Sequence, residues 1–377
     1  MYATAYYFNY LFFYLRMEFG FGNRENLFLA ALNGFIYIFG SWFGGKFAQR
    51  RGYFFALRLG FAIMAVALAA GSQLPNVAAQ FAVMFAWTLG VCLTWPTLEA
   101  LVSENETRPD LPRRIGIYNI VWASGVALAY FTGGALLEQL GPRSLFWLPV
   151  GIHALQLALC AWLERKARAL QAAGLSRPAS TASLESGQPQ LPAGARIFLR
   201  LAWLANPFAY LAMFTFIPLV PHLAARLGLS TTEAGFVASV WMFARLFAFV
   251  GLWYWPGWHY RFGWLAGAYG SMIVSFAALL LVPNLAVIVI AQLIFGLAVG
   301  LIYSSSLFYS MDVGETKGEH GGFHEALIGA GIFAGPALGA ATLHLFPNQP
   351  NAGTWAVSGA LVIGLLALLA MRWLRPG

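Results

Sequence analysis

Residues 59–98 read LGFAIMAVALAAGSQLPNVAAQFAVMFAWTLGVCLTWPTL, and no charged side chain lies between Arg58 and Glu99. A transmembrane helix needs about 20 mostly apolar residues, so this stretch is long enough for two crossings. Its middle carries the turn signal Pro75-Asn76, where a helix ends and the chain can reverse direction. The stretch therefore predicts a transmembrane helical hairpin.

The rest of the 377-residue chain has the same character, with 60% hydrophobic and 10% charged residues. An ordinary globular chain has roughly 25% charged residues, so there is too little charge here to cover a water-soluble surface. Because no basic segment precedes the first apolar run, we expect no cleavable signal peptide and expect that run to be an uncleaved first helix. We predict an all-α integral membrane protein with twelve transmembrane helices. The predicted spans are 2–17, 27–45, 54–73, 77–101, 115–137, 144–163, 198–225, 233–255, 264–282, 285–311, 322–345 and 353–371.

The placement of the basic residues predicts the orientation. With a cytoplasmic amino terminus, 17 of the 22 Lys and Arg residues fall in cytoplasmic connections, 4 fall outside and Arg245 falls within a helix. This bias follows the positive-inside rule. We predict a multi-pass protein of the cell inner membrane with both termini in the cytoplasm. The net charge of +8 then reflects topology, and we expect no nucleic-acid partner.

A polar stretch divides the chain into two halves. Residues 165–197 are basic and then rich in Ser, Pro, Gly and Gln, which is typical of a flexible linker. We expect an N-terminal six-helix bundle at 1–164, a cytoplasmic linker at 165–197 and a C-terminal six-helix bundle at 198–377. An internal repeat supports two homologous halves, an architecture common in transporters. Four glycines of the first half have a glycine 206 residues later in the chain. They are Gly90, Gly116, Gly125 and Gly133, and their counterparts are Gly296, Gly322, Gly331 and Gly339.

The connection between the second and third predicted helices reads GKFAQRRG at residues 45–52. This loop resembles the signature of the major facilitator superfamily, which is a glycine, an acid four residues later, a basic residue and a second glycine. Gly45, Arg50 and Gly52 match the signature, whereas Gln49 occupies the acidic position. The alternative is an ordinary basic loop of a membrane protein.

The resemblance implies the superfamily's fold of two pseudo-symmetric six-helix bundles. It also implies a gating loop, Gly45, Arg50, Arg51 and Gly52, whose cations pair with a carboxylate at a neighbouring helix end. Glu104 looks like that acidic partner.

The predicted eleventh helix supports the resemblance. Its residues 331–340 read GIFAGPALGA, similar to the superfamily's glycine-proline packing motif, in which small residues let helices pack closely. The predicted fifth helix lacks the Gly-Pro pair found there in drug/proton antiporters, which weakens that assignment.

Ionisable residues within a bilayer are energetically expensive and are therefore candidates for function. Arg245 lies midway along the eighth predicted helix, Glu99 lies near the end of the fourth, and His324 and Glu325 open the eleventh. A carboxyl group beside a histidine and partly removed from water can titrate near neutral pH. We predict that these four residues form a proton-coupling site centred on Glu325 and His324, with Arg245 facing it. The alternative is that each is interfacial or structural.

Aromatic residues make up 16% of the chain, and several lie on helices that line the cavity in the family it resembles. With nearby amides they would form a pocket of ring faces and hydrogen-bonding groups. Such a pocket suits sugars, aromatic metabolites or amphipathic drugs; the alternative for each ring is a position facing lipid. The predicted cavity residues are Asn9, Tyr10, Trp95, Asn119, Trp122, Tyr210, Trp241 and Tyr303.

These features predict a monomeric secondary active transporter that moves a small organic or amphipathic solute, with protons as the coupling ion. Drug or metabolite efflux and sugar or metabolite uptake both stay open. The polar cluster between Asp312 and Glu325 follows no metal-ligand spacing, and the chain has no phosphate-binding glycine loop. We therefore expect no enzyme activity, cofactor or metal. A non-transporting receptor or scaffold, which would bind a ligand without flux, is the alternative from another class.

Overall fold

The computed structural model describes residues 1–103, 111–173, 194–313 and 317–373, with the backbone alone at 103, 111–112, 311 and 317–324. These residues form twelve α-helices and one 3₁₀ turn, Pro256–Trp258. The helices are α1 (Tyr2–Phe19), α2 (Asn23–Arg51), α3 (Tyr53–Gly71), α4 (Val77–Ser103), α5 (Leu111–Leu140), α6 (Ser144–Ala172), α7 (Ala195–Arg226), α8 (Thr231–Tyr254), α9 (Phe262–Leu281), α10 (Leu285–Val313), α11 (Lys317–Leu345) and α12 (Ala352–Trp373).

Eleven of the described helices, α2 to α12, are long and apolar enough to cross a membrane. The first helix is less apolar, because tyrosines, Asn9, Arg16 and Glu18 dilute its phenylalanines and leucines. Its residues between Ala3 and Leu15 are nevertheless almost all buried. Neighbouring helices rather than lipid surround α1, so it can carry polar side chains. The prediction of twelve helices in a multi-pass membrane protein is confirmed.

The helix contacts of the first half recur in the second half when six is added to each helix number. In the first half α3 packs on α4 and α6, and α1 packs on α5 and α6. In the second half α9 packs on α10 and α12, and α7 packs on α11 and α12. Likewise α2 packs on α4, and α8 packs on α10. The predicted fold class of two pseudo-symmetric six-helix bundles is confirmed.

Two long helix pairs join the halves, α2 with α11 and α5 with α8. In both pairs a glycine lets one helix touch the backbone of the other. A Cβ at Gly34 would lie 2.3 Å from the backbone nitrogen of Phe333, and one at Gly134 would lie 2.2 Å from the carbonyl oxygen of Thr231. Real side chains do not tolerate such distances, so larger residues here would force the helices apart.

One end of the bundle carries a cluster of cations. The helices α2 and α3 meet there, with Lys46, Arg50, Arg51 and Arg58 near the junction. We call this the basic end. The turns between α1 and α2 and between α7 and α8 lie at the opposite end.

The sixth helix reaches further than the sequence predicted. The linker was expected to begin at residue 165, whereas α6 ends at Ala172 and α7 begins at Ala195. Side-chain pairing supports the added turns, because Glu164 is 3.2 Å from Arg58 on α3 and 2.5 Å from Arg168 one turn ahead. Residues 174–193 of the expected linker lie outside the described residues.

Candidate functional site

Glu325 on α11 is a buried carboxyl group at the contact between the two halves. Only 4% of its surface is exposed. The hydroxyl group of Tyr37, midway along α2, donates a hydrogen bond to its Oε2 atom at 2.5 Å. The carboxyl groups of Glu325 and Glu99, the latter near the end of α4, also form a hydrogen bond with each other. Two residues of the first half therefore bind one acid of the second half.

A hydrogen bond between two carboxyl groups requires a proton on one of them, because two carboxylates have only acceptors. A proton shared between Glu99 and Glu325 would satisfy this requirement and limit the pair to one negative charge. Loss of that proton would leave two like charges in contact in a poorly hydrated place. A contact of this kind between the halves would therefore depend on protonation of the pair.

Arg245 on α8 lies in a second cluster, made of aromatic rings. Its guanidinium carbon is 5.0 Å from the ring centre of Trp122 and 5.1 Å from that of Tyr303. The rings of Phe249 and Tyr210 follow at 5.4 and 5.9 Å. We call these four rings the ring cage. Their faces attract the cation, and they bring together α5, α7, α8 and α10.

Three tyrosines lie within electrostatic range of the carboxyl pair, and two of them, Tyr210 and Tyr303, belong to the ring cage. Tyr210 is within range of Arg245 and of both acids. Tyr303 and Tyr118 are within range of Glu99, Glu325 and each other. Arg245 contacts ring faces, and no ion pair joins it to Glu325 among the described residues.

The remaining predicted cavity residues fall into four places, two of which hold more than one of them. Trp122 donates its indole N–H to the side-chain oxygen of Asn119 at 2.9 Å, beside Arg245. Asn9 and Tyr10 line a small cavity nearer the opposite end, with Tyr130.

The other two predicted cavity residues pack against rings. Trp95 lies 6.3 Å from the ring of Tyr37, next to the carboxyl pair. Trp241 is 2% exposed and packs against Tyr130, Phe216 and Phe295. Trp241 thus lies deep in the helix packing, one turn from Arg245 on α8.

The predicted gating loop turns at Gly52, whose φ of 94° lies in the region that favours glycine. Gly45 is less constrained, because a Cβ there would meet Pro96 only at an ordinary 3.9 Å. Arg50 and Arg51 are exposed at the basic end.

Two predicted site residues cannot be located by their side chains. Glu104 lies outside the described residues. His324 lies in α11 with only its backbone described. Among the described residues no group of three or more His, Cys, Asp or Glu is placed to hold a metal ion.

Sequence reasoning missed three residues that the structure brings into the site: Tyr37, Tyr118 and Phe249. Tyr37 was visible as a phenol in the middle of an apolar run, where a buried hydroxyl group needs a partner. Phe249 follows Arg245 by one helical turn and so shares its face. Nothing in the sequence distinguished Tyr118 from the many other aromatic residues.

Comparison with known proteins agrees with this architecture. A family model described as Major Facilitator Superfamily matches residues 1–321. The fold is similar to that of a single-substitution mutant of the nucleoside transporter NupG, with a TM-score of 0.67 and 14% identity over 98% of this chain and 96% of that one. A second NupG crystal structure gives a TM-score of 0.63 and 13% identity over 98% of each chain. No curated protein matches the chain in a sequence comparison.

Proposed function

The chain belongs to the major facilitator superfamily and is a secondary transporter by family and fold, and we propose that it moves a small organic or amphipathic solute by alternating access coupled to protons. The two six-helix halves would tilt around a site between them and expose it to one side at a time. The basic end would face the cytoplasm, which places both termini there in a cell inner membrane. The exposed Arg50 and Arg51 would latch one state through Glu104.

The observation that carries proton coupling is the contact between the carboxyl groups of Glu99 and Glu325. These acids lie on opposite halves and are in contact, with Tyr37 as a third partner. With the proton present the halves can stay together here. Without it, two unit charges about 4 Å apart repel by on the order of 4 kcal/mol at the effective dielectric constant of protein sites. That energy shifts a conformational equilibrium by roughly a thousandfold, which is ample for coupling.

The proposed chemistry of the solute follows from the ring cage and its neighbours. Flat ring faces with a few polar groups suit a small solute with an aromatic or apolar body. The NupG structures belong to a nucleoside transporter, but at 14% identity their substrate does not carry over. A thermal-shift screen of nucleosides, sugars, organic acids and lipophilic cations would therefore identify the class of solute, because a ligand that binds the folded state raises Tm.

The test of coupling uses the solute from that screen in proteoliposomes with an imposed pH gradient. Wild type should accumulate or expel the solute in response to the gradient. Glu325→Gln keeps the shape of the side chain but cannot change charge, so it should exchange solute across the membrane without responding to the gradient. Glu99→Gln should behave in the same way.

The matched control is Glu138→Gln. Glu138 is also an acid at the contact between the halves, where its carboxylate accepts the backbone N–H of Thr232 at 2.8 Å, but it is exposed at the opposite end. This variant should keep the response to the gradient. Gradient-driven transport by Glu325→Gln equal to that of wild type would refute proton coupling at this pair. Saturable binding without flux in wild type would favour a receptor.

A further inference from the structure

Arg245 is a buried cation with no anion beside it among the described residues. Its exposed fraction is 4%. Of its nitrogens, Nη1 lies 3.5 Å from the sulfur of Met213, and Nε and Nη2 have no hydrogen-bond partner among the described residues. In the described part of the chain no carboxylate lies within ion-pair distance of it. A guanidinium group keeps its charge in proteins, so this charge is left uncompensated in the structure.

The surroundings of Arg245 do not replace the missing anion. The ring cage attracts the cation through ring faces, and the hydroxyl group of Tyr210 hydrogen-bonds to Arg245, but neither supplies a negative charge. The acids Glu99 and Glu325 form no ion pair with Arg245 among the described residues and already hydrogen-bond to each other and to Tyr37. Buried hydrogen-bond donors without acceptors are rare in stable structures. The site is therefore complete only when something else supplies the acceptor.

The two unpartnered donors define what that acceptor is. Nε and Nη2 lie on the same edge of the guanidinium plane and point in parallel. This edge matches the two oxygens of one carboxylate, which can accept both hydrogen bonds at once. A single cation balances a single negative charge, whereas a phosphate monoester carries more than one at neutral pH.

A second unpartnered polar group lies on α7, the helix that contributes Tyr210 to the cage. The side-chain amide of Asn206 on α7 is 1% exposed, and neither its oxygen nor its nitrogen has a partner among the described residues. Asn206 precedes Tyr210 by one helical turn and therefore shares its face of α7. Such an amide can hydrogen-bond a polar group of a ligand held by Arg245.

We infer that Arg245 binds the carboxylate of the transported solute, so that the substrates are organic monocarboxylates with an aromatic or apolar body held in the ring cage. This inference rests on the proposed function, because it names the substrate class of the same site. The rings Trp122, Phe249 and Tyr303 cover the apolar body, and the side-on edge of Arg245 fixes its charged end.

The test is ligand binding to the full-length protein in detergent, followed by thermal shift. The probes are benzoate, phenylacetate and indole-3-acetate, each paired with its neutral amide, together with acetate and inorganic phosphate. At least one arylcarboxylate should raise Tm saturably, and its amide, acetate and phosphate should bind about tenfold or more weakly. Equal binding of acid and amide, preference for phosphate, or no binding by any carboxylate would overturn the inference.

Variants of Arg245 test the residue itself. Arg245→Gln should weaken the best carboxylate by about tenfold or more, and the ligand-free protein should still unfold in one cooperative transition. Arg245→Lys keeps the charge without the side-on pair of donors, so it should fold and still lose most of the affinity. Arg226→Gln is the control, because Arg226 binds the carbonyl oxygen of Leu280 outside the cage. A lower ligand-free Tm with unchanged carboxylate affinity in the Arg245 variants would show a structural role instead.

Failure of this inference and failure of the proposed function give different results. Carboxylate binding that requires Arg245, without flux in liposomes, would uphold the site and refute transport. Gradient-driven flux of an uncharged solute that requires Glu325 and ignores Arg245→Gln would uphold transport and refute the carboxylate site.

Discussion

The contact between α2 and α11 and the contact between α5 and α8 are equivalent in the twofold repeat of the helices, yet they hold opposite chemistry. The α2–α11 pair brings Tyr37 and Glu325 together, with Glu99 of α4 beside them. The α5–α8 pair holds Arg245 under the rings of Trp122 and Phe249. In its buried part, one interface is acidic and hydrogen-bonded, and the other is basic and aromatic.

This difference shows how one backbone plan can serve two tasks. Both interfaces use a glycine for close approach, Gly34 in one and Gly134 in the other, so both can close tightly. The acidic interface can bind and release a proton, whereas the basic one keeps its charge and can only exchange partners. We therefore propose that the proton acts at the first interface and the solute at the second.

The variants with the largest expected effect test the close helix packing that the two interfaces share. Gly34→Leu places a side chain where even a Cβ would lie 2.3 Å from the backbone nitrogen of Phe333. Gly134→Leu does the same against Thr231. Overpacking costs about 1–3 kcal/mol in ordinary cores, and more where backbone must move. Each variant should lose more than about nine-tenths of its flux in liposomes.

The control for these variants is Gly267→Leu on α9, where no atom lies within 4 Å of the added Cβ. It should transport like wild type. If only one of the two interface glycines proved sensitive, closure at the two interfaces would not be equivalent. Normal flux in both variants would contradict the close packing itself.

The variant with the next largest expected effect changes the acidic interface and leaves the basic one intact. Tyr37→Phe removes the hydrogen bond to Glu325. A donor to a carboxylate favours its charged form, so without it the pair should hold its proton to higher pH. The midpoint of the pH profile of transport should rise by about one unit, equivalent to about 1.4 kcal/mol. The measurement is initial solute flux between pH 5 and pH 9.

Tyr269→Phe is the matched control, because the hydroxyl group of Tyr269 on α9 has no hydrogen-bond partner among the described residues. Its pH midpoint should equal that of wild type. An unchanged midpoint in Tyr37→Phe, or one that moved to lower pH, would show that this tyrosine does not act on the titrating group.

The smallest effect concerns the ring cage. Phe249→Leu removes a ring whose centre is 5.4 Å from the guanidinium carbon of Arg245. Loss of that cation–π contact should lower stability by about 1 kcal/mol. Tm followed by tryptophan fluorescence measures it. The control is Phe247→Leu, because Phe247 lies two residues earlier and is 67% exposed; this variant should leave Tm unchanged. Equal Tm shifts in the two variants would mean that the ring of Phe249 does not interact with Arg245.

Much of the architecture could be predicted from local properties of the chain. Apolar length identified twelve helices, and the turn at Pro75-Asn76 separated α3 from α4 as predicted. Buried charges also stand out in an apolar chain, which is why Glu99, Glu325 and Arg245 were each singled out. Their grouping was less predictable. Arg245 was expected to face Glu325, and it lies instead among aromatic rings.

The sequence by itself determined the number of helices, the fold of two six-helix bundles and which ionisable residues lie in its apolar helices. These follow from the bilayer, because each crossing must satisfy its own backbone hydrogen bonds and be apolar over about 20 residues. Only the tertiary structure decided which of these residues contact one another. Tyr37 meets Glu325 across 288 residues of chain, and the rotation and register of packed helices select such contacts. A helix turns by 100° at each residue, so a shift of one position would direct Arg245 or Glu325 to a different neighbour.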